Sequence, residues 1–263
     1  MGKGVAAITG GASGIGEASA RKLAAAGHAI AIIDLDQAKS DAVAADIAKT
    51  AGVAARGYAC DVADAAAVDD VAARVEKDLG AVDVLVTSAG VLEKVSGFMD
   101  MDLEAHNRVW QINYNGTVHA CRSFGRLMVP NRKGSIVTLG STNSLVTFPL
   151  PAYGPSKLAI VRFTQILAVE LGRHGIRVNS VAPTYTMTPA FKARIESGER
   201  DVNAIKKVHA LDLLVEPEQI GDAIAFLCSD QASAITGVLL PVDAGFAAAV
   251  TYKTFVGGVP WSS

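Results

Sequence analysis

Val5-Ala6-Ala7-Ile8-Thr9-Gly10-Gly11-Ala12-Ser13-Gly14-Ile15-Gly16 carries an apolar run straight into a glycine-rich turn and then into an Ala-rich amphipathic stretch. The run is short, rich in Val, Ile and Ala, and lacks polar alternation, which is how a strand buried on both faces reads. Glycines at this spacing let the chain turn tightly and let backbone N–H groups approach a pyrophosphate. The helix that starts there adds the positive end of its dipole. Strand, glycine turn and helix in that order predict a dinucleotide site shaped by Thr9, Gly10, Ser13, Gly14, Ile15 and Gly16.

The alternation continues along the chain. Apolar runs recur at 29–34, 54–60, 82–87, 135–140, 177–182 and 238–242, and helical stretches lie at roughly 14–26, 37–51, 65–79, 103–128, 152–174 and 216–228. Strand–helix–strand repeats mean right-handed crossovers and a parallel sheet. The expected fold class is therefore α/β: one Rossmann-like, doubly wound parallel sheet of about seven strands with helices on both faces. One domain over 1–246 is expected. A charged helical segment at about 188–216 breaks the rhythm at the edge of the sheet where ligands bind, as a lid or a solvated helix pair. Its charges are of both signs, which does not suggest an anion-binding patch. Residues 247–263 form a tail with an aromatic and few charges, expected to pack on a neighbouring subunit.

Composition narrows the function classes. Half of the 263 residues are hydrophobic, 19% are charged, and the net charge is −2. This excludes a disordered chain and disfavours a nucleic-acid partner. No apolar run is long enough for a membrane span, and the run beginning at Val5 leaves no room for a signal peptide. Ala6 stands where a myristoylation signal has Ser or Thr. Cys60, Cys121 and Cys228 are odd in number and lie in apolar surroundings. They read as reduced thiols of a cytoplasmic protein rather than as nucleophiles, and no metal site is expected.

The second strand ends in Asp34, eighteen positions beyond Gly16. A carboxylate there accepts hydrogen bonds from the adenosine ribose and repels a 2′-phosphate. Ala12, Ser13, Leu35 and Asp36 offer no positive charge nearby, so the expected cofactor is NAD rather than NADP. Tyr153-Gly154-Pro155-Ser156-Lys157 puts Tyr and Lys on one face of a starting helix, with Pro155 tolerated in its first turn. Free tyrosine titrates near ~10; bringing it to about 7 requires roughly 4 kcal/mol of preferential stabilisation of the phenolate. The Lys157 ammonium is the obvious source. Tyr153 then exchanges a proton with an alcohol or ketone oxygen. Ser141, at the end of the fifth strand, is placed to polarise that oxygen, with Ser144 as its rival. Asn113 lies mid-helix, where Asn is disfavoured, either as a satisfied buried amide or to order a water.

With these motifs in view, the chain resembles the short-chain dehydrogenase/reductase family from about residue 5 to 245. The resemblance rests on Thr9-Gly10…Gly14…Gly16, Ala89-Gly90, Asn113, Ser141, the Tyr153…Lys157 pair and Val242-Asp243-Ala244-Gly245. It implies a catalytic set of Asn113, Ser141, Tyr153 and Lys157. It also implies cofactor contacts at Asp61, Val62, Ala89, Gly90, Pro183, Thr186 and Thr188, besides Tyr153 and Lys157, and a homo-oligomer, most simply a tetramer. Three departures stand out. Thr87-Ser88 replaces the family's paired Asn, Thr184 replaces a Gly, and the interval from Ser141 to Tyr153 is one residue shorter than is common.

The expected activity is hydride transfer between NAD and a small secondary alcohol or ketone. Pocket walls should come from 91–95, 142–150 and 185–209, with Glu93, Asn143 and Tyr185 as substrate contacts. Their mixture of polar and apolar residues suits a polyol, a sugar or another hydroxylated alcohol. The competing readings are a cofactor-binding scaffold without turnover, a 3-ketoacyl or steroid-type reductase, and a lyase or epimerase on the same fold.

Overall fold

The computed structural model describes residues 3–254, 256 and 258. Seven parallel strands form one sheet in the order β3-β2-β1-β4-β5-β6-β7. They are β1 (Val5–Thr9), β2 (Ala29–Asp34), β3 (Ala55–Ala59), β4 (Val82–Thr87), β5 (Gly134–Leu139), β6 (Ile176–Pro183) and β7 (Leu239–Val242). The chain winds outward from β1 to β3, then returns to lay β4 on the other side of β1, pairing Ala6 with Val84 and Thr9 with Thr87. That reversal opens a crevice beyond the carboxyl ends of β1 and β4, where ligands bind in such sheets.

Helices cover both faces because the strands have no polar face to offer water. On one side, α1 (Gly14–Ala25), α2 (Gln37–Ala51) and α9 (Pro217–Cys228) bury Leu23, Ile47 and Ile224 against Ile8, Ile32 and Val86. On the other, α3 (Ala65–Leu79), α5 (Gly116–Asn131) and α6 (Tyr153–Gly172) bury Val71, Phe124 and Ala168 against Leu85 and Ile136. Asp36 and Asp64 cap α2 and α3 by accepting N–H bonds from their first turns.

The structure departs from the sequence expectation in two places. The helix expected at 103–128 is two helices, α4 (Leu103–Trp110) and α5, joined through a π-helical turn at Gln111–Asn115. The charged segment is helical as expected, folding as α7 (Pro189–Glu196) and α8 (Val202–Val208), and it rejoins the body through a bridge between Thr186 and Val215. The start of the tail forms α10 (Phe246–Lys253) against α8 of its own chain. There Lys253 Nζ donates to the carbonyls of Lys207 (2.6 Å) and His209. Most of the remaining tail lies outside the described residues.

Candidate active site

Two adjoining cavities open at the carboxyl ends of the strands, sharing Ile15, Ser88, Gly90, Val91 and Thr188 as a common wall. The first, of about 350 Å³, is lined by Gly10, Ser13, Gly14, Asp34, Asp61, Val62 and Ala89 among others. The second, of about 640 Å³, is lined by Ser141, Asn143, Tyr153, Lys157, Pro183, Tyr185 and Thr186 among others.

The glycine turn builds the first cavity by backbone alone. Gly10 and Gly14 hold φ of 64° and 55°, in the left-handed region that glycine tolerates. Ser13 precedes α1 but makes no side-chain cap, so the first N–H groups of the helix stay available to a ligand. Gly16 and Thr9 do not line the cavity; they support it. A Cβ on Gly16 would lie 2.1 Å from the Gly10 carbonyl oxygen, and Thr9 Oγ1 accepts from the Ala89 N–H at 3.4 Å. Asp34 is held in place, its two carboxylate oxygens accepting from the N–H groups of Ala12 (3.1 Å) and Leu35 (2.8 Å). Asp34 and Asp61 are the only charged residues lining this cavity among the described residues. Its shape and free helix N–H groups fit a dinucleotide.

The second cavity is organised around α6, whose first residue is Tyr153. Lys157, one turn on, is buried and donates from Nζ to the Leu139 carbonyl at 2.8 Å; burial lowers its pKa to about 8. Its ammonium lies 5.5 Å from the centroid of the Tyr153 ring. The sequence argument had Lys157 bringing the phenol down. In this structure burial dominates and pushes the Tyr153 phenol up, and the group that opposes it is the hydrogen-bonded Ser141 hydroxyl.

Ser141 has its own orientation fixed. Its Oγ accepts from the backbone N–H of Asn143 (3.2 Å) and from Asn143 Nδ2 (3.3 Å), which leaves its own proton for the Tyr153 phenol oxygen. Ser144 does not line the cavity, so the loop between β5 and α6 presents Ser141 despite its short length. Asn143 Oδ1 is buried without a partner. Tyr185 stands in an aromatic cluster, with its ring centroid 6.4 Å from Phe148, 5.9 Å from Phe191 and 5.9 Å from Phe246. Thr184, where a Gly was expected, meets His209 Nε2 at 3.4 Å and so ties the turn after β6 to the end of α8.

Two expectations change. Glu93 is not a substrate contact: it lines neither cavity, and its buried Oε1 accepts from the N–H groups of Ala152 (2.7 Å) and Tyr153 (2.8 Å). It caps α6, whose preceding residue Ala152 has no side chain able to do so. Asn113 is the satisfied buried amide of the two readings. Its Oδ1 accepts from the Val91 N–H at 2.8 Å, while Nδ2 donates to the Val91 carbonyl at 3.0 Å and meets Ser156 Oγ at 3.4 Å. It thereby joins the π turn, the segment after β4 and the first turn of α6. Arg194 and Arg200, within the 185–209 segment expected to form a wall but not singled out in it as contacts, also line the second cavity.

A family model described as enoyl-(acyl carrier protein) reductase matches residues 10–247. D-threitol dehydrogenase of Mycolicibacterium smegmatis is 37% identical over 243 residues, covering 92% of each chain. The 2,3-dihydro-2,3-dihydroxybenzoate dehydrogenase of Bacillus subtilis is 39% identical over 251 residues, covering 92% of this chain and 95% of its own. A solved short-chain type dehydrogenase/reductase from Mycobacterium ulcerans superposes with a TM-score of 0.90 at 29% identity, covering 95% of this chain and 91% of the other. With likeness of this extent along nearly its whole length, the chain belongs to the short-chain dehydrogenase/reductase family, whose members use a nicotinamide cofactor.

Proposed function

We propose that the protein interconverts a small secondary alcohol and its ketone, with NAD as the hydride carrier and a second hydroxyl beside the reacting one on the substrate. The observation that carries this reading is the Tyr153–Ser141–Asn143 arrangement. Tyr153 and Ser141, whose hydroxyls are hydrogen-bonded to each other, line one cavity together with Asn143, whose Oδ1 is buried without a hydrogen bond. A carbinol oxygen bound between Tyr153 and Ser141 gives its proton to Tyr153 as hydride leaves the carbinol carbon, so the alcohol loses one proton and one hydride to become a ketone. Bound NAD supplies the hydride acceptor and a positive ring near the phenol. Positioned proton transfer of this kind contributes typically ~10²–10⁴-fold in rate. Lys157 lends its charge to the ionised phenol, and Asn113 acts as a positioning residue by fixing Val91 and the start of α6.

Turned toward the cavity, the Asn143 amide would accept from a hydroxyl next to the carbinol; as it stands its Oδ1 is a buried acceptor without a bond, at a cost of about 1–3 kcal/mol. The relatives named above are described as acting on D-threitol and on a 2,3-dihydroxy compound, both of which carry adjacent hydroxyls. NAD over NADP is supported by the charges at the end of β2: a 2′-phosphate beside Asp34 would meet its carboxylate, while the cation nearest the other lining acid, Arg108, is directed at Asp61 at 3.7 Å.

Formation of NADH with a panel of secondary alcohols, vicinal diols and polyols tests the reading. It expects turnover with NAD that favours vicinal diols over lone alcohols, and Asn143→Leu should erase that preference. Equal rates on lone alcohols and diols would refute the Asn143 contact. In the cofactor site, Asp34→Ala with Leu35→Arg should move preference toward NADP, and unchanged discrimination would reject the role of Asp34.

A further inference from the structure

The charged side chains lining the second cavity are Lys157, Arg194 and Arg200, and no carboxylate lines it. This is a local arrangement, because the whole chain carries a net charge of −2. Lys157 sits beside Tyr153, with its ammonium bonded to Leu139. Arg194, in the last turn of α7, and Arg200, just before α8, belong to the lid, and their backbones are joined by an Arg200 N–H bond to the Arg194 carbonyl at 3.2 Å. Their side chains are 34% and 31% exposed, so each guanidinium is partly enclosed yet reachable. Arg200 is close enough to Tyr185 for its charge to favour the phenolate of that residue.

The lid's acids are placed differently. Glu216 lies 4.0 Å from Lys192, and Asp201 caps α8 through the Asn203 N–H at 2.8 Å. Glu199 reaches both arginines only loosely, at 4.0 Å from Arg194 and 3.5 Å from Arg200, and is half exposed. Two guanidiniums against one loosely held carboxylate leave one positive charge unbalanced. Below them the wall is Phe148, Leu150, Tyr185 and Phe191. A neutral polyol would use neither the charge nor the apolar wall.

We propose that the substrate is a hydroxy-carboxylate, with its carbinol at Tyr153, an apolar or ring body against the aromatic wall, and its carboxylate held by Arg194 and Arg200. The inference rests on the proposed alcohol chemistry of the same cavity and adds the far end of the substrate. Guanidinium forks match carboxylates in shape and charge. The unbalanced charge also fits a carboxylate's single negative charge better than the roughly −1.5 to −2 of a phosphate monoester.

Calorimetric titration of the NAD-saturated protein with benzoate, benzamide and phenyl phosphate tests this without turnover. Benzoate should bind about tenfold or more tightly than benzamide, the range for hydrogen bonds to a charged group. Arg194→Gln with Arg200→Gln should remove that preference at unchanged Tm and leave benzamide binding as it was. Glu199→Gln should strengthen benzoate alone. Equal binding of benzoate and benzamide, binding of neither, or a preference that survives the double substitution would overturn the proposal. Phenyl phosphate binding tighter than benzoate would overturn the choice of carboxylate. A benzoate preference in a protein that oxidises no alcohol would refute the hydride-transfer reading and leave the anion site standing.

Discussion

At the scale of single residues, the Tyr153…Lys157 spacing was legible because a helix converts an interval of four into adjacency. Glu93 was not, because nothing in its neighbourhood of sequence marks a side chain that reaches the start of a helix about sixty positions later. Tyr153→Phe should lower kcat by ~10²–10⁴-fold with cofactor affinity unchanged, by dye-free titration of NADH fluorescence. Glu93→Ala removes the cap on the Tyr153 N–H and should cost about 1–2 kcal/mol of stability. Its kcat should fall more than its KM rises, and Glu93→Gln, which keeps an acceptor oxygen, should recover most of the kcat. If kcat follows stability alone in both variants, Glu93 does no positioning. Lys157 gives a test in pH. Its folded pKa of about 8 lies below the ordinary lysine value of 10.5. Between those values the unfolded chain binds the proton more tightly, so stability rises with pH. Relative to Lys157→Met, the wild type should gain about 2–3 kcal/mol from pH ~8 to ~10.5 in denaturant melts, and a flat difference would contradict a buried, depressed lysine.

At the scale of elements, the strands were legible because two-sided burial leaves them uniformly apolar, and their observed ends fall within a residue or so of those expected. The break at Gln111–Asn115 was hidden because Ile112 and its neighbours keep the helical periodicity through it. The Asn113 side chain explains the break. A π turn adds a residue to the helix, and such insertions often mark functional sites. Here it lets the Asn113 amide face Val91 and Ser156. The glycine turn fails differently when altered. Gly16→Ala would drive a methyl group against the Gly10 carbonyl. That should cost about 1–3 kcal/mol in stability and weaken NADH binding by about tenfold or more, because the turn itself must shift. Normal Tm and normal NADH affinity in this variant would show that the loop accommodates a side chain.

At the scale of the whole molecule, composition showed a chain with mixed charges and could not show how they are sorted. The fold sorts them: acids line the cofactor cavity, bases line the substrate cavity, and the charge the lid presents to the cavity depends on which of its residues face inward. Assembly is also decided at this scale. Leu158, Ile166 and Val169 share one face of α6 and are 55%, 49% and 80% exposed, with Leu103 of the neighbouring α4 at 66%. An apolar face of this kind fits a second copy of the chain better than water. The first turns of the tail contact α8 of the same chain, so we propose that this face of α6 is the one a second copy of the chain would cover. Val169→Glu should shift light scattering toward smaller species; an unchanged mass would place the interface elsewhere.

The central claim is that this cavity runs NAD-dependent alcohol chemistry through Tyr153. The most direct measurement is the appearance of NADH absorbance when purified protein meets NAD or NADP and a panel of vicinal diols, polyols and cyclic hydroxy-carboxylates, run in parallel with Tyr153→Phe. Turnover is expected with NAD, far less with NADP, and about 100-fold or more slower in the variant. A Tyr153→Phe rate within about tenfold of the wild type, or cofactor binding with no turnover on any alcohol, would contradict the role of Tyr153.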